Sequence, residues 1–434
     1  MILFFPAIAG LSLFVLPWSD RGARSFSLTV SVICAALTLW LWSLFEAGSS
    51  EMQFEESLEW IPSFGIRYSV GVDGVSLLMV ALTTLLSLIV VLLSFSSGQA
   101  RVREYLGCAL VLQTGLFGSF LATDLFLFYV FCEFILIPVY FLIGVWGGSH
   151  RVAATLKFAL HSVTGSLLLL VAIVYAVWSV RDSGSISFDI AELTSRLRAT
   201  ELGTAEVWLF LGFATAFAIK VPIFPFHTWF PEAQVDASTG GAVILGGAVV
   251  QIGCYGFLRF ALSMFPRASL ALLPAIATLA VVGIVYGALV AMVQTDIRKL
   301  IAYASMSQIG FVVLGLSSMT VVGVSGGVVQ MLNHGVSLCG LLVLAGILLE
   351  RGQSLDLDAC GGLAYLMPRY ATAFVLVMLS AVGLPGLNGF IGKFMILVGM
   401  FSSQGMIVGA SVAEFAAFAC ALAGVLGVGA VILV

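Results

Sequence analysis

Apolar runs of about 20 residues recur along the whole chain, and no other feature restricts its fold as strongly. A run of ~20 residues can cross the ~30 Å hydrocarbon core of a bilayer as a helix. The runs are continuously apolar rather than alternating, which favours helices over the strands of a closed barrel. Of the 434 residues, 61% are hydrophobic and 9% charged, whereas a soluble protein carries ~25% charged residues. We therefore expect an all-α polytopic membrane protein.

Thirteen candidate spans account for these runs. They cover 2–18, 26–46, 74–97, 105–122, 125–146, 153–180, 206–229, 239–262, 269–292, 300–317, 321–349, 370–401 and 406–434. The first span lacks a basic leader and a small-residue cleavage site, so we expect a retained helix rather than a signal peptide. The last span meets the end of the sequence without a polar flank, so we expect that at least one further helix belongs to the fold.

The connections between the spans predict an orientation. Nine arginines and lysines fall in the odd-numbered connections and six in the even-numbered ones, which also hold most of the acids. Because cytoplasmic loops are richer in lysine and arginine, this bias places the first loop in the cytoplasm and the N-terminus outside.

Two spans contain proline motifs that should break the helix near mid-membrane, because proline removes a hydrogen bond and clashes with the preceding turn. Span seven contains Lys220–His227 (KVPIFPFH) and span twelve contains Leu384–Phe390 (LPGLNGF). Broken helices at matching places in two halves indicate an internal repeat. We predict three N-terminal helices over 1–104, a five-helix repeat over 105–262, and an inverted, truncated repeat over 263–434.

Ionisable residues inside apolar spans are the candidates for a functional site. Of the four lysines, Lys157, Lys220 and Lys393 lie inside spans, and so does Glu133. A charge near the bilayer centre costs at least ~2.5 kcal/mol, and such residues usually face an interior or a water-filled path. Since buried lysine and glutamate can exchange protons near neutral pH, a buried Glu–Lys pair predicts a proton switch.

Each candidate also has a structural interpretation. Glu133 could serve only as an ion-pair partner, and carbonyls freed at the break could hold Lys220. Lys157 could extend its amine to the cytoplasmic surface. His334, near the middle of span eleven, is either a proton relay or a hydrogen-bonded core residue.

An amide and two peripheral residues complete the candidates. Gln251, at the centre of span eight, can order water through hydrogen bonds but does not titrate near neutral pH. His227 and Lys299 are further candidates for the path. No C-x-x-C pair, Cys/His cluster or P-loop occurs among the 434 residues, so no metal, haem, iron–sulfur or other cofactor is expected on this chain. A net charge of −4 provides no electrostatic footprint for nucleic acid.

Several sequence blocks together resemble the antiporter-like membrane subunits of respiratory complex I, most closely those of the M type. The blocks are Glu59–Gly65, Gly71–Leu77, Phe128–Glu133, Pro138–Gly147, Lys220–Ala233, Thr295–Tyr303 and Leu384–Gly399. Separate blocks also occur in sodium/proton antiporter complexes and membrane-bound hydrogenases.

The resemblance implies a fold of fourteen helices with inverted five-helix repeats. It implies proton translocation driven by quinone reduction elsewhere in an NADH:quinone oxidoreductase of the bacterial inner membrane. The expected partners are the other membrane subunits, especially the sister antiporter-like subunits, and the lipid bilayer. Glu133, Lys220 and His334 match the family's residues on helices five, seven and eleven.

Three positions depart from the family pattern. Gln251 stands where the family usually has a lysine, Lys393 where M-type chains usually have a glutamate, and Gln308 where a histidine is common. We therefore expect a hydrated centre without a charge, and a lower but nonzero flux. Two alternatives stay open: a subunit of a multi-subunit cation/proton antiporter, and a non-conducting structural spacer. The transported ion, proton or sodium, also stays open.

Overall fold

The computed structural model describes residues 2–49, 51–181, 186–352, 354–359 and 361–403. Within these ranges, nine helices are long and apolar enough to cross a membrane. The predicted all-α polytopic membrane fold is confirmed. The predicted span 406–434 lies outside the described residues.

The described elements follow the predicted spans closely. In chain order they are α1 (Phe5–Val15), α2 (Asp20–Leu44), β1 (Gln53–Ile61), β2 (Ile66–Val72), α3 (Gly74–Ser96), α4 (Val102–Leu121), α5 (Leu125–Phe134), α6 (Leu136–Gly144), α7 (Arg151–Ser179), α8 (Ile190–Ala199), α9 (Thr204–Lys220), α10 (Trp229–Asp236), α11 (Thr239–Ile244), α12 (Val250–Gly256), α13 (Pro266–Met292), α14 (Ile297–Ser317), α15 (Val321–Glu350), α16 (Leu363–Leu366), α17 (Pro368–Val382) and α18 (Asn388–Ser402).

The chain divides into two compact units. The first contains Met1–Lys220 and Asp236–Ser269, and the second contains Val221–Val235 and Leu270–Val434. The division into 1–104, 105–262 and 263–434 stays a prediction.

Both predicted helix breaks are present. Span seven is helical as α9 up to Lys220 and resumes as α10 at Trp229, after a turn that contains two prolines. Span twelve is helical as α17 up to Val382 and resumes as α18 at Asn388. Gly383 ends α17 with φ +95°, a left-handed conformation that glycine adopts without a steric penalty.

Span eight is a continuous helix, Thr239–Leu262, with an irregularity that the sequence did not reveal. Two π-helical segments, Leu245–Val249 and Phe257–Leu262, flank the α-helical α12. Such π segments are rare and frequently occur at functional sites.

Aspartates fix the starts of two spanning helices. The Asp73 carboxylate accepts a hydrogen bond from Ser76 N (2.8 Å), and the Ser76 hydroxyl accepts one from Asp73 N (2.8 Å), which forms a capping box for α3. Asp124 accepts hydrogen bonds from Phe126 N and Leu127 N, both at 2.9 Å, at the start of α5. Each carboxylate satisfies amide groups that have no partner inside the helix.

Two elements lie in connections that carried no predicted structure. β1 and β2 pair as an antiparallel hairpin in the connection after span two, and α8 lies in the connection after span six. Backbone bonds from Thr123 N to Ser69 O (3.0 Å) and from Leu125 N to Phe188 O (2.8 Å) tie both connections to the start of α5. The even-numbered connections of the first unit therefore meet at one end, as expected for a chain that crosses back and forth.

Candidate functional site

The first unit contains two membrane-embedded charges that make no direct ion pair in the part of the chain that the structure describes. Glu133 is half-buried near the end of α5, and its inaccessible Oε1 has no hydrogen-bond partner among the described residues. Lys220 is half-buried as the last residue of α9. The described residues likewise provide no hydrogen bond or salt bridge to its amine.

The two charged groups lie in one region of the first unit. Both Lys220 and Glu133 are close enough to the buried Cys132 thiol to act on it electrostatically. The Cys132 sulfur is 3.8 Å from the Ser119 hydroxyl of α4. The structure thus brings both charged groups near Cys132 without a salt bridge between them among the described residues, and their pairing stays a prediction.

Lys157 lies on α7, which packs against α9. Its side chain is half-buried, and its backbone carbonyl is 2.8 Å from Nδ1 of His161. Sequence reasoning missed His161, although a histidine one turn after a lysine in an apolar span is a recognisable signal. Gly165, one turn further, lies close enough to α9 that a Cβ atom would be 3.3 Å from the Ala216 carbonyl oxygen.

Gln251 is completely buried in α12, between the two π-helical segments. One turn later, the Tyr255 hydroxyl donates a 3.1 Å hydrogen bond to the Phe120 carbonyl of α4. Gln113, on α4, is also completely buried, and both of its amide atoms have no hydrogen-bond partner within the described ranges. Gln113 is not conspicuous in the sequence, because a neutral amide does not stand out as a charge does.

The second unit has a cavity of about 80 Å³, which is room for about three water molecules at ~30 Å³ each. His334 of α15 lines it, and its Nε2 is 2.8 Å from the Ser305 hydroxyl of α14. Other polar groups in the lining come from α14, α15 and α17: Gln308, Gln330, Asn333, Ser337 and Ser380. A hydrated polar path through this unit is therefore sterically feasible.

Lys393 of α18 is held by the end of the preceding half-helix. Its amine donates hydrogen bonds to the carbonyls of Ala381 and Val382, both at 2.7 Å. The amine also lies 5.1 Å from the centroid of the Phe311 ring. A cation is stabilised here because the C-terminal end of a helix carries partial negative charge. Lys393 is also close enough to His334 to act on it electrostatically.

The two peripheral candidates differ in burial. His227 is 6% exposed, and its ring stacks on Phe224 with a centroid distance of 5.5 Å and packs edge-on against Tyr286 at 5.0 Å. Lys299 is exposed at the start of α14, where its backbone N–H donates to Asp296. The structure therefore buries His227 but does not bring Lys299 to the buried polar groups.

Two further charged residues, missed by sequence reasoning, have structural roles. Glu206 is 7% exposed, and its Oε1 accepts hydrogen bonds from Arg267 N (2.9 Å) and Ala268 N (3.1 Å) at the start of α13. Arg259, in the second π segment, forms an ion pair with Asp73. Both lie at the membrane-span ends, where sequence alone does not distinguish a cap from a solvated charge.

Discontinuous apolar helices with ionisable residues inside them define the chain as a polytopic membrane protein of the broken-helix type. No group of three or more metal-ligating side chains occurs within the described residues. The chain belongs to the family described as NADH:quinone oxidoreductase/Mrp antiporter, transmembrane, whose model matches residues 122–418.

Relatives in this family are similar over most of their length. NADH-quinone oxidoreductase subunit M of Rhodobacter capsulatus is 40% identical over 411 residues, which cover 92% of this chain and 80% of the relative. The subunit M of Rickettsia prowazekii is 38% identical over 403 residues, with 92% and 81% covered. This chain is thus similar to M-type subunits of NADH-quinone oxidoreductase.

Solved structures show the same fold. A chain of respiratory complex I from Thermus thermophilus with bound NADH has a TM-score of 0.87 and 31% identity, covering 99% of this chain and 87% of that one. A chain of the Mrp complex from Dietzia sp. DQ12-45-1b has a TM-score of 0.86 at 24% identity, covering 99% and 78%. At that identity the second comparison concerns the fold alone.

Proposed function

We propose that this chain is a proton-translocating membrane subunit of an NADH:quinone oxidoreductase. In this proposal it moves protons along buried Glu133, Lys220, Gln251, His334 and Lys393, joined by water. The chain itself performs no redox chemistry and holds no cofactor. The M-type relatives and the complex I chain of Thermus thermophilus support this assignment.

The observation that carries the proposal is the state of Glu133 and Lys220. Both lie in apolar membrane helices, and the described residues provide neither group with a direct ion-pair partner. Leaving two such charges unsatisfied inside a membrane is costly, so their retention favours a functional role over a structural one. Groups of this kind can pick up and release protons through bridging water.

The proposal as an M-type subunit also includes a membrane location, an orientation and a division of the chain into three parts. The chain lies in the bacterial inner membrane with its N-terminus outside, beside sister antiporter-like subunits. Its three parts are the N-terminal helices over 1–104, the first five-helix repeat over 105–262, and the inverted repeat over 263–434. Lys157 and His227 are peripheral members of the path, and the exposed Lys299 is the weakest candidate.

The test uses the assembled enzyme in sealed vesicles, with NADH oxidation and internal pH measured together. Glu133→Gln removes the carboxylate while keeping its size, so we expect proton pumping to fall by about tenfold, as a ~1.4 kcal/mol higher barrier would cause. Glu59→Gln, on the exposed face of β1, is the matched control and should pump like the parent.

Other outcomes support the alternatives. Cation/proton exchange in the absence of NADH oxidation would assign the chain to a multi-subunit antiporter. Normal pumping by Glu133→Gln, at equal assembly, would favour a structural spacer. NADH-driven sodium accumulation without acidification of the vesicles would replace the proton as the transported ion.

A further inference from the structure

We propose that Gln113 of α4 is a positioning residue of the proton path, which holds water between α4 and Gln251. This inference rests on the proposed function and adds a residue to it. Its starting point is that Gln113 is 0% exposed, with neither amide atom partnered among the described residues. Buried amides are nearly always hydrogen-bonded, to protein or to ordered water.

The register between α4 and span eight places Gln113 level with a π-helical segment. Gly240 lies directly against the Tyr105 hydroxyl, and the Tyr255 hydroxyl binds the Phe120 carbonyl. The residue numbers differ by 135 in both pairs. The numbers therefore increase in the same direction along both helices, which means that the two helices run parallel. With that offset Gln113 is level with residue 248, inside the π segment Leu245–Val249.

The two glutamines lie on facing sides of their helices. Gln113 precedes Phe120 by seven residues, or about two turns, so both lie on one face of α4. Gln251 precedes Tyr255 by one turn within α12. Since the rings of Phe120 and Tyr255 pack against each other at 5.4 Å, both glutamines point into the same interface between the two helices.

The depth of this interface is the middle of the membrane. Gln113 is in the central part of α4, Val102–Leu121, whose 20 residues extend for ~30 Å. Gln251 is level with residue 116, only three residues, or about 4.5 Å, further along the axis than Gln113. A water molecule between the two helices at this depth has both the donor and the acceptor of the Gln113 amide available.

The amide groups of Gln113 and Gln251 can orient water but cannot carry a proton as a charge. Neither carries a proton as a charge near neutral pH, but each can orient a water molecule by donating and accepting hydrogen bonds. Gln113 therefore binds no transported ion and acts through the water that it holds beside Gln251. The ligand of this site is water.

The experiment compares four forms of the assembled enzyme in vesicles: the parent, Gln113→Leu, Gln113→Asn and Thr114→Val. Gln113→Leu removes the amide at similar volume and should reduce proton pumping by about tenfold at equal assembly. Gln113→Asn keeps the amide and should retain most of the pumping. Thr114→Val is the control, because the Thr114 hydroxyl is also buried without a partner in the described ranges but lies a quarter-turn or more away.

A high-resolution map gives an independent readout, with water density expected within hydrogen-bonding distance of the Gln113 amide. The inference is overturned if Gln113→Leu pumps like the parent, if Gln113→Asn is as impaired as Gln113→Leu, or if Thr114→Val loses pumping equally. A Gln113 amide bonded only to protein atoms would overturn it as well. A parent enzyme that does not pump would instead refute the proposed function.

Discussion

The two helix breaks each have a lysine, and the two lysines are held differently. Lys220 precedes its break as the last residue of α9, and no described residue binds its amine directly. Lys393 follows its break and reaches back to two carbonyls at the end of α17. The difference follows from sequence order, because a lysine beyond a break can bind the open carbonyl end of the half-helix before it.

A lysine beside a helix break can therefore exchange protons, stabilise the break, or do both. Hydrogen bonds from a charged donor contribute about 1.5–3 kcal/mol each, and the helix end adds favourable electrostatics. Lys393 therefore stabilises the break as a bound ammonium group, in addition to its place in the proposed proton path. The described residues make no such contacts with the Lys220 amine, which leaves it better suited to exchange its proton with water.

The largest expected effect is at Lys220. Lys220→Met removes the charge but keeps the apolar stem, and we expect it to abolish proton pumping at normal assembly. The measurement is vesicle acidification per NADH oxidised. Arg101→Met, which removes an exposed cation paired with Glu104, should leave pumping unchanged. If Lys220→Met pumps normally, the contrast between the two lysines has no functional meaning.

The next effect concerns the centre of the path at Gln251. Gln251→Leu should dry the interface and abolish flux, while Gln251→Lys should preserve or raise it, because an ammonium group both binds water and carries a proton. Proton pumping by the two variants, measured in the same vesicle assay, shows whether the proton route passes Gln251. Equal, unimpaired pumping by Gln251→Leu would mean that protons leave Lys220 by another route.

The smallest expected effect is at Lys393. Lys393→Met loses two charge-assisted hydrogen bonds and should reduce stability by about 3–6 kcal/mol, with only a partial loss of pumping. Lys393→Arg can still donate to both carbonyls and should recover most of the stability. Thermal unfolding of the purified enzyme measures the difference. Unchanged stability combined with abolished pumping would instead mean that Lys393 acts only in the proton path and does not stabilise the break.

The sequence predicted the spanning helices well because hydropathy is a property of each segment by itself. The spans predicted at 74–97 and 300–317 correspond to Gly74–Ser96 and Ile297–Ser317. The proline motifs likewise predicted both breaks from local sterics. The hairpin was missed because most residues of β1 are exposed, so its strands lack the alternation that a half-buried strand shows.

The amphipathic helix α8 could have been predicted from the sequence. Its buried residues are Ile190, Leu193 and Leu197, spaced by three and four, and Asp189 caps it by accepting a hydrogen bond from Glu192 N (2.9 Å). Strongly apolar neighbouring spans concealed this weaker pattern.

The candidate site was only partly accessible from the sequence. Glu133, Lys220 and Lys393 stand out because charges are rare in apolar spans. The Ser305–His334 contact and the carbonyls around Lys393 depend on how distant helices pack, and no local pattern encodes that. Gln113 carries no charge, so only its burial and register reveal it.

The π segment Leu245–Val249 sets the direction in which span eight presents its later residues. A π turn contains about one residue more than an α turn. If the same residues were wound as regular α-helix, every later residue of α12 would rotate by about 100° relative to the helix before it. Such a change of hydrogen-bond register, without any change in sequence, would turn Gln251 away from α4 and bring Val250 into its place, whereas deletion of one residue at Gly246–Gly247 would restore α-helix and leave Gln251 facing α4.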